Sequence, residues 1–423
     1  MDTAGPAEAR IEDAGNILVA PLALHGEEVV KDFFGSTVTP EELASGSLQL
    51  AQKTVYLCGD VSGVSDRNLA TAARVFVVRE LAHGYREGGG GSWTFVGVGR
   101  VPVRVHGVGV YYRRFFDLDA DYFGRILAEH AFQSLTESTK PGTARRSGIY
   151  LTPVTRDGDG LHFRLLRCST NLSGPTEGFR ATDRHIVTAL NSEAAAVFRG
   201  HAPLNHVLAQ IYHNTPVATE GMQSLQGMQT KQAKAKISAH ADKTKDMPGN
   251  GIMAFCTFYD RLDLLDRLHP SAGDAFDYGV KGASGLTRLR FRLKGKGAAD
   301  EDGACALPRQ FSLTLYPGSV FFMPLSTNRL YTHEIRPPAP AAELLPTRLG
   351  YVVRCSGTEA VHRDGRTFLK RAGGLVELEP PTPTGLDALR GRYAEENKTT
   401  SFIDYGDEFP FSMNAGDYLA PRP

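Results

Sequence analysis

The sequence predicts an α+β fold with a mainly β core, an antiparallel sandwich or jelly roll, flanked by helices and preceded by an N-terminal α/β extension. Three observations carry this expectation. From about residue 232 onward, the runs AKIS, GIMAFCTFY, RLRFRLKGK, FSLTLYP, SVFFMPL, YTHEI and RLGYVVRCS are short, β-rich and separated by Gly, Pro, Asn and Asp. Before residue 200, helical and strand-like textures alternate. The chain has 423 residues, 41% hydrophobic and 22% charged, which allows a sizeable core and two or three domains.

The first dozen residues read as a flexible lead. Residues 70–83 (ATAARVFVVRELAH) have helical spacing, and the glycine run Gly88 to Gly91 breaks the chain before Trp93. VPVRVHGVGVYYRRFF (101–116) is rich in Val and aromatics and favours strand. GIYLTPV and LHFRLLR flank Arg156-Asp-Gly-Asp-Gly160, a hairpin signal. ATDRHIVTALNSEAAAVF (181–198) reads as a helix with Asp183 in its first turn, and LNHVLAQIYHN as another. PPAPAAELLP (337–346) is a loop between the last two strands. The tail opens Pro-rich, continues as a short helix and ends in an aromatic-rich segment suited to packing back on the body. The expected organisation is therefore an extension over 1–200, a core over 201–375 with a basic insertion near 260–305, and a tail over 376–423.

Lys+Arg 47 balances Asp+Glu 47, so any nucleic-acid contact must come from local clusters. Five scattered cysteines (Cys58, Cys168, Cys256, Cys305, Cys355) form no CxxC pair, against a disulfide framework or thiolate zinc site and in keeping with a reducing intracellular compartment. The sequence has no apolar run of some eighteen residues and no basic-then-apolar leader, so neither a membrane span nor a secretory signal is expected. A monomer is expected.

His240-Ala241-Asp242 has metal-ligand spacing, since alternate residues of an extended segment point the same way. Thirteen histidines make one such triplet ordinary, and His362-Arg363-Asp364 is a second. A facial triad for non-haem Fe(II) needs a second histidine. His362 is the last in the chain, so His362 and Asp364 would have to borrow an upstream partner. Downstream, His240 has His269, at an apparent helix end, and His333, in a β context. Arg348 and Arg354, six apart on TRLGYVVRC, share one strand face. Two guanidinium groups turned into a small barrel need an anion, and a dicarboxylate gripped bidentately would supply it.

This order, HxD then a distal His then Arg348 on the next strand, resembles the Fe(II)/2-oxoglutarate dioxygenase superfamily. His240-Ala-Asp-Lys243 and the pair Arg348 and Arg354 are similar to the AlkB family's HxDK and R-x5-R patterns. Pro346-Thr347-Arg348-Leu349, fifteen residues past His333, resembles the TET/J-binding-protein family of 5-methylpyrimidine oxygenases, whose algal members use vitamin C instead of 2-oxoglutarate. The resemblance covers about 205–356; the 93 residues from His240 to His333 imply an insertion, and the cysteine-rich domain of animal TET enzymes is absent.

The resemblance implies a double-stranded β-helix, Fe(II) on His240, Asp242 and His333, and O2 as oxidant. Arg348 would bind the distal carboxylate of 2-oxoglutarate with Arg354 nearby, or L-ascorbate would replace that co-substrate. It further implies oxidation of the methyl group of 5-methylcytosine in duplex DNA, with the base flipped out, and a nuclear location. The alternatives are an AlkB-like demethylase of alkylated DNA or RNA bases, or a hydroxylase of a protein or small molecule; a non-catalytic jelly-roll module with a vestigial site is a third class.

TRLRFRLKGK (287–296) alternates strictly, placing Arg288, Arg290, Arg292, Lys294 and Lys296 on one face and Leu289, Phe291 and Leu293 on the other. As an edge strand it would offer its cations to a phosphate backbone. Lys231, Lys234, Lys236, Lys243 and Lys245 add charge beside the HxD motif.

Overall fold

A computed structural model describes residues 8–13, 15–85, 93–136, 143–166, 172–217, 231–267, 279–280, 283–295 and 307–423. The N-terminal part forms a parallel sheet of β1 (Asn16–Val19), β2 (Ser36–Val38), β3 (Thr54–Asp60), β4 (Arg74–His83) and β5 (Thr94–Val96), in the order β2-β1-β3-β4-β5. Residues 70–83 thus correct the helical expectation: most of the segment is strand β4. Val75, Val77 and Val78 are β-branched and buried, and a parallel strand covered on both faces reads as a continuous apolar run rather than an alternating one. The glycine run 88–91 lies outside the described residues.

The next elements are β6 (Val103–Val105), β7 (Gly109–Tyr112), α1 (Tyr122–Glu129), β8 (Gln133–Thr136), β9 (Thr143–Thr152), β10 (Thr155–Asp157), β11 (Gly160–Leu165), β12 (Glu177–Gly178) and α2 (Ala181–Val197). The Asp157-to-Gly160 turn joins β10 to β11 as expected, but β9 pairs elsewhere. The chain then runs through β13 (His206–Tyr212), β14 (Ile237–His240), β15 (Ile252–Asp260), β16 (Arg288–Leu293), β17 (Gln310–Thr314), β18 (Val320–Pro324), α3 (Leu325–Leu330), β19 (Tyr331–Arg336) and β20 (Thr347–Arg354). Strands β21 (Thr358–Arg363), β22 (Arg366–Arg371) and β23 (Gly374–Glu377) follow, then helix α4 (Pro383–Lys398). They add to β10 and β11 as a separate sheet, so the loop 337–346 does not precede the last strand.

Segment 204–214 corrects a second helical expectation. Every residue of β13 is buried, because β13 lies between β9 and β20 in the main sheet. That sheet runs β12-β9-β13-β20-β15-β18-β7-β6, with β8 added beside β9. It draws strands from both sides of residue 200, so the boundary expected there falls inside one sheet. A second, four-stranded sheet is ordered β14-β19-β16-β17. From β13 to β20 the chain visits the main sheet, the small sheet, the main sheet, the small sheet twice, then main, small and main again. Strand β16 is therefore an inner strand of the small sheet, not an edge.

Two cores result. Helices α1 and α2 cover the outer face of the main sheet through Ile126, Ile186, Leu190, Val207, Tyr351 and Val353. Between the two sheets, Phe255, Tyr259 and Phe321 meet Leu289, Phe291, Phe311 and Tyr331. Phe291 stacks on Phe311 with ring centroids 4.6 Å apart, and truncating so buried an aromatic costs about 3–5 kcal/mol.

Candidate metal centre

Strand pairing builds the site. In the antiparallel β14–β19 ladder, His240 lies directly opposite His333, and the two rings sit 4.5 Å apart. Beyond β14 the chain leaves the sheet, and Asp242 returns beside the pair: its Oδ1 is 3.3 Å from His240 Nε2 and 3.7 Å from His333 Nε2. One donor atom from each of the three lies within 4.8 Å of the others. His240 Nδ1–H donates to the Ser238 carbonyl at 2.9 Å, which orients the ring with Nε2 toward Asp242. Burial, aided by the charges of His240 and Arg354, pushes His333 down to about 3, so its imidazole is neutral at physiological pH. Burial raises the Asp242 carboxyl, but Arg354, His240 and His333 outweigh it and hold the group well below the usual carboxylate range. Two imidazole nitrogens and one carboxylate oxygen therefore converge, a donor set that fits ferrous iron.

Both arginines of β20 are buried and share the inner face, as the spacing predicts. They do different things. Arg354 Nη2 meets Asp242 Oδ2 at 2.6 Å, so the anion it requires is the ligand carboxylate itself. Its expected place as a co-substrate contact thus becomes a contact to a ligand. Arg348 lies flat on Tyr212, with its Cζ 3.8 Å from the ring centroid. It is 4% exposed, and its Nε and Nη2 have no hydrogen-bond partner among the described residues. A Cβ on Gly350 would come within 2.9 Å of Arg348 Nη1 and 3.2 Å of Tyr212 Cε2, so this position needs glycine for space.

The basic residues divide. Arg288 and Arg292 are exposed on the outer face of the small sheet, while Leu289 and Phe291 are buried, as the alternation predicts. Arg290 is occupied by Gln310 and lies 3.5 Å from Glu334. Lys294 contradicts its expected role: its ammonium is buried and donates to the carbonyls of Asn328 (3.1 Å), Glu396 (2.7 Å) and Thr399 (3.4 Å). Lys243 departs likewise, donating to the Tyr393 carbonyl at 3.0 Å. Lys234 and Lys245 also bond backbone carbonyls, whereas Lys236 is exposed; Lys296, the Lys231 side chain and His269 lie outside the described residues. The physical reason is common to these lysines. Fixed carbonyls of helices and loops lie within reach of each stem, and burying an ammonium is tolerable once they satisfy it.

His362 stands apart from the centre on β21, sharing a hydrogen bond of 3.0 Å with Thr367 Oγ1. Glu129, His130 and Asp183 form another group of closely spaced donors. That group is closed, because His130 is held by Glu177 at Nδ1 (3.0 Å) and Asp183 at Nε2 (2.7 Å).

Several supporting residues carried no sequence signal. Asn328 on α3 accepts from the Asp242 backbone N–H (2.8 Å) and donates to the Asp242 carbonyl (2.9 Å). Asn397 accepts from the Ala241 N–H at 2.7 Å. Separations of 86 and 156 residues leave no local pattern to read.

No protein-family model and no curated protein matches this sequence. Among solved structures it is similar to SnoN, a non-heme alpha-ketoglutarate-dependent epimerase from nogalamycin biosynthesis, at 13% identity over 60% of this chain and 80% of that one, with a TM-score of 0.32. It is similar to OsALKBH1 at 12% identity over 58% of this chain and 97% of that one, TM-score 0.31. TqaL, an Fe(II)/α-ketoglutarate-dependent dioxygenase, gives 10% identity over 61% and 78%, TM-score 0.25. At such TM-scores the likeness is loose, and the functional reading rests on the side chains of the centre.

Proposed function

We propose that this protein is a non-haem Fe(II)-dependent dioxygenase with a double-stranded β-helix core, using 2-oxoglutarate and O2 to oxidise the methyl group of 5-methylcytosine in DNA. One observation carries the reading: two imidazoles and a carboxylate converge, and Arg348, on the same strand face as the Arg354 that holds that carboxylate, is buried with Nε and Nη2 lacking a hydrogen-bond partner among the described residues. Bound to His240, Asp242 and His333, iron would supply oxygen activation coupled to oxidative decarboxylation of the co-substrate.

The chain's own residues do the rest. Arg354 engages Asp242 Oδ2, which leaves Oδ1 turned to both imidazoles. Tyr212 holds the Arg348 guanidinium flat, and Gly350 leaves it room. Its planar fork suits the distal carboxylate of 2-oxoglutarate. An orphaned guanidinium favours a dicarboxylate over L-ascorbate, which stays the alternative co-substrate. Phe255 and Phe291, with ring centroids 5.5 and 5.8 Å from His333, keep the inner side of the centre apolar. Asp242 and His333 are buried and only His240 is partly exposed, so a base stacked in a duplex would have to leave it to reach the centre. Exposed Arg288 and Arg292 would meet phosphates, which position the duplex without reading its sequence.

A second reading, demethylation of alkylated bases, is favoured by the spacing of Arg348 and Arg354 and by Lys243 directly after Asp242. One experiment separates the two. DNA carrying 5-methylcytosine, and DNA carrying N-alkylated bases, are incubated with Fe(II) and either 2-oxoglutarate or ascorbate, and the released nucleosides are weighed by mass spectrometry. Oxidised 5-methylcytosine formed only with 2-oxoglutarate supports the proposal; loss of N-alkyl groups alone supports the second reading; no product from either substrate contradicts both.

A further inference from the structure

The loop that carries Asp242 is held by the C-terminal segment at Ala241, Lys243, Thr244 and Lys245. Asn397 of α4 accepts from the Ala241 N–H at 2.7 Å, within the metal motif itself. Glu396 Oε1 accepts from the Thr244 N–H at 3.1 Å and also from the Thr244 hydroxyl. Tyr405, beyond the helix, donates to Glu396 Oε2 at 2.7 Å. Lys243 reaches the Tyr393 carbonyl at 3.0 Å, and Lys245 the Phe409 carbonyl at 2.7 Å. Lys294 ties the same helix end to Asn328, whose amide clamps the Asp242 backbone.

The tail is a unit with a core of its own: Leu389, Tyr393, Ile403, Tyr405, Phe409 and Phe411 pack together. Loop 241–246 runs between two strands and takes no part in either sheet, so its hydrogen bonds must come from elsewhere. Asn328 supplies those of Asp242, Gly357 and Thr358 those of Asp246, and the tail those of Ala241 and Thr244. Each bond contributes only about 1 kcal/mol to stability, but together they fix where the Asp242 carboxylate points. Metal affinity depends on such outer contacts, whose loss typically costs about 10–100-fold.

We infer that residues 383–411 act as a clip that holds the metal-ligand loop in its binding geometry, with Asn397 as the principal positioning residue, so that tail docking and metal binding strengthen each other. The inference rests on the reading of His240, Asp242 and His333 as a metal centre. Reciprocity is required by linkage: if the docked tail favours the metal, the metal must favour the docked tail.

The test uses the full chain with Mn(II) as probe, followed by the loss of the free-ion paramagnetic resonance signal. Asn397→Ala, which removes the acceptor, is expected to weaken Mn(II) binding about 10–100-fold. Asn397→Asp keeps an oxygen facing the Ala241 N–H and should stay near wild type, and Glu395→Gln on the exposed side of α4 should change nothing. Should Asn397→Ala fail to fold, Tyr405→Phe removes only the hydroxyl that steadies Glu396 and should weaken Mn(II) binding by a smaller factor. Hydrogen exchange supplies the reciprocal measurement: Mn(II) should slow exchange across 383–411 in the wild type and much less in Asn397→Ala. Wild-type Mn(II) affinity in Asn397→Ala, or tail exchange indifferent to Mn(II) in the wild type, overturns the clip alone. If the wild type binds Mn(II) no better than His240→Ala, the metal-centre reading falls and the clip falls with it.

Discussion

Arg354 and Asp242 form a buried ion pair at 2.6 Å in which the carboxylate's other oxygen faces both His240 and His333. One cation thus compensates the only acid of the centre before any metal arrives. A buried pair is weak evidence of net stabilisation, but breaking it from one side strands a charge in an apolar setting and costs about 3–5 kcal/mol. Arg354→Ala is therefore expected to lower unfolding stability by that amount, measured by urea denaturation without metal. Saturating Mn(II) should return part of the loss, because the ion supplies the missing positive charge.

Arg348 should behave in the opposite way. Its guanidinium already lacks a partner for two of its nitrogens, so Arg348→Met should leave the fold as stable or more so. It should abolish 2-oxoglutarate binding by calorimetry, with metal uptake intact. Gly350→Ala forces a Cβ against Arg348 and Tyr212. Overpacking of this kind costs about 1–3 kcal/mol, and it should fall mainly on co-substrate affinity. Equal losses of metal and co-substrate in both variants would contradict the division of labour between the two arginines.

His130 sets a pH dependence remote from the metal. Burial disfavours its charged form, but Asp183 and Glu177 override it and raise the imidazole to about 9. A group raised above its unfolded value of about 6.5 contributes fully below that pH and loses its contribution as pH climbs through the folded value. Stability should therefore fall between about pH 6.5 and 9, by a few kcal/mol at most. Urea midpoints across that window measure it, and His130→Gln should flatten the slope while lowering stability at neutral pH. An unchanged slope in the variant would show that another group titrates there.

If DNA is the partner, the exposed arginines govern its salt dependence. Arg288→Glu with Arg292→Glu should weaken binding of every DNA sequence alike and reduce the slope of log affinity against log salt by about 1 per lost contact. Fluorescence anisotropy at several salt concentrations reads this directly. Lys294→Glu should instead unfold the contact between α4 and α3, because its ammonium bonds three carbonyls there. An unaltered salt slope in the double variant would remove DNA from the account.

The sequence was most legible where one face of an element is buried and the other is not. Strand β16 shows this, its Arg and Leu or Phe alternation surviving intact in the structure. Strand β15 up to Tyr259 and the whole of β18 are buried and emerged instead from their shortness and the Gly, Pro, Asn and Asp between them, and His240 with Asp242 stood out because ligand spacing is a local property. Segments β4 and β13 were misread because burial on both faces erases the period that separates strand from helix. The lysines misled because exposure is a tertiary property: Lys294 and Lys243 are ordinary cations in the sequence and tail anchors in the fold. The Asp242–Arg354 pair and the contacts of Asn328 and Asn397 join residues more than eighty positions apart, and only the folded chain brings them together.

The central claim, a ferrous ion on three side chains with a dicarboxylate on Arg348, is tested most directly by anaerobic calorimetric titration. Wild type, His333→Ala and Arg348→Met are each titrated with Fe(II) and then with 2-oxoglutarate. The account predicts stoichiometric iron uptake by wild type and Arg348→Met, none by His333→Ala, and 2-oxoglutarate binding by iron-loaded wild type alone. Iron uptake by His333→Ala equal to that of wild type would contradict it.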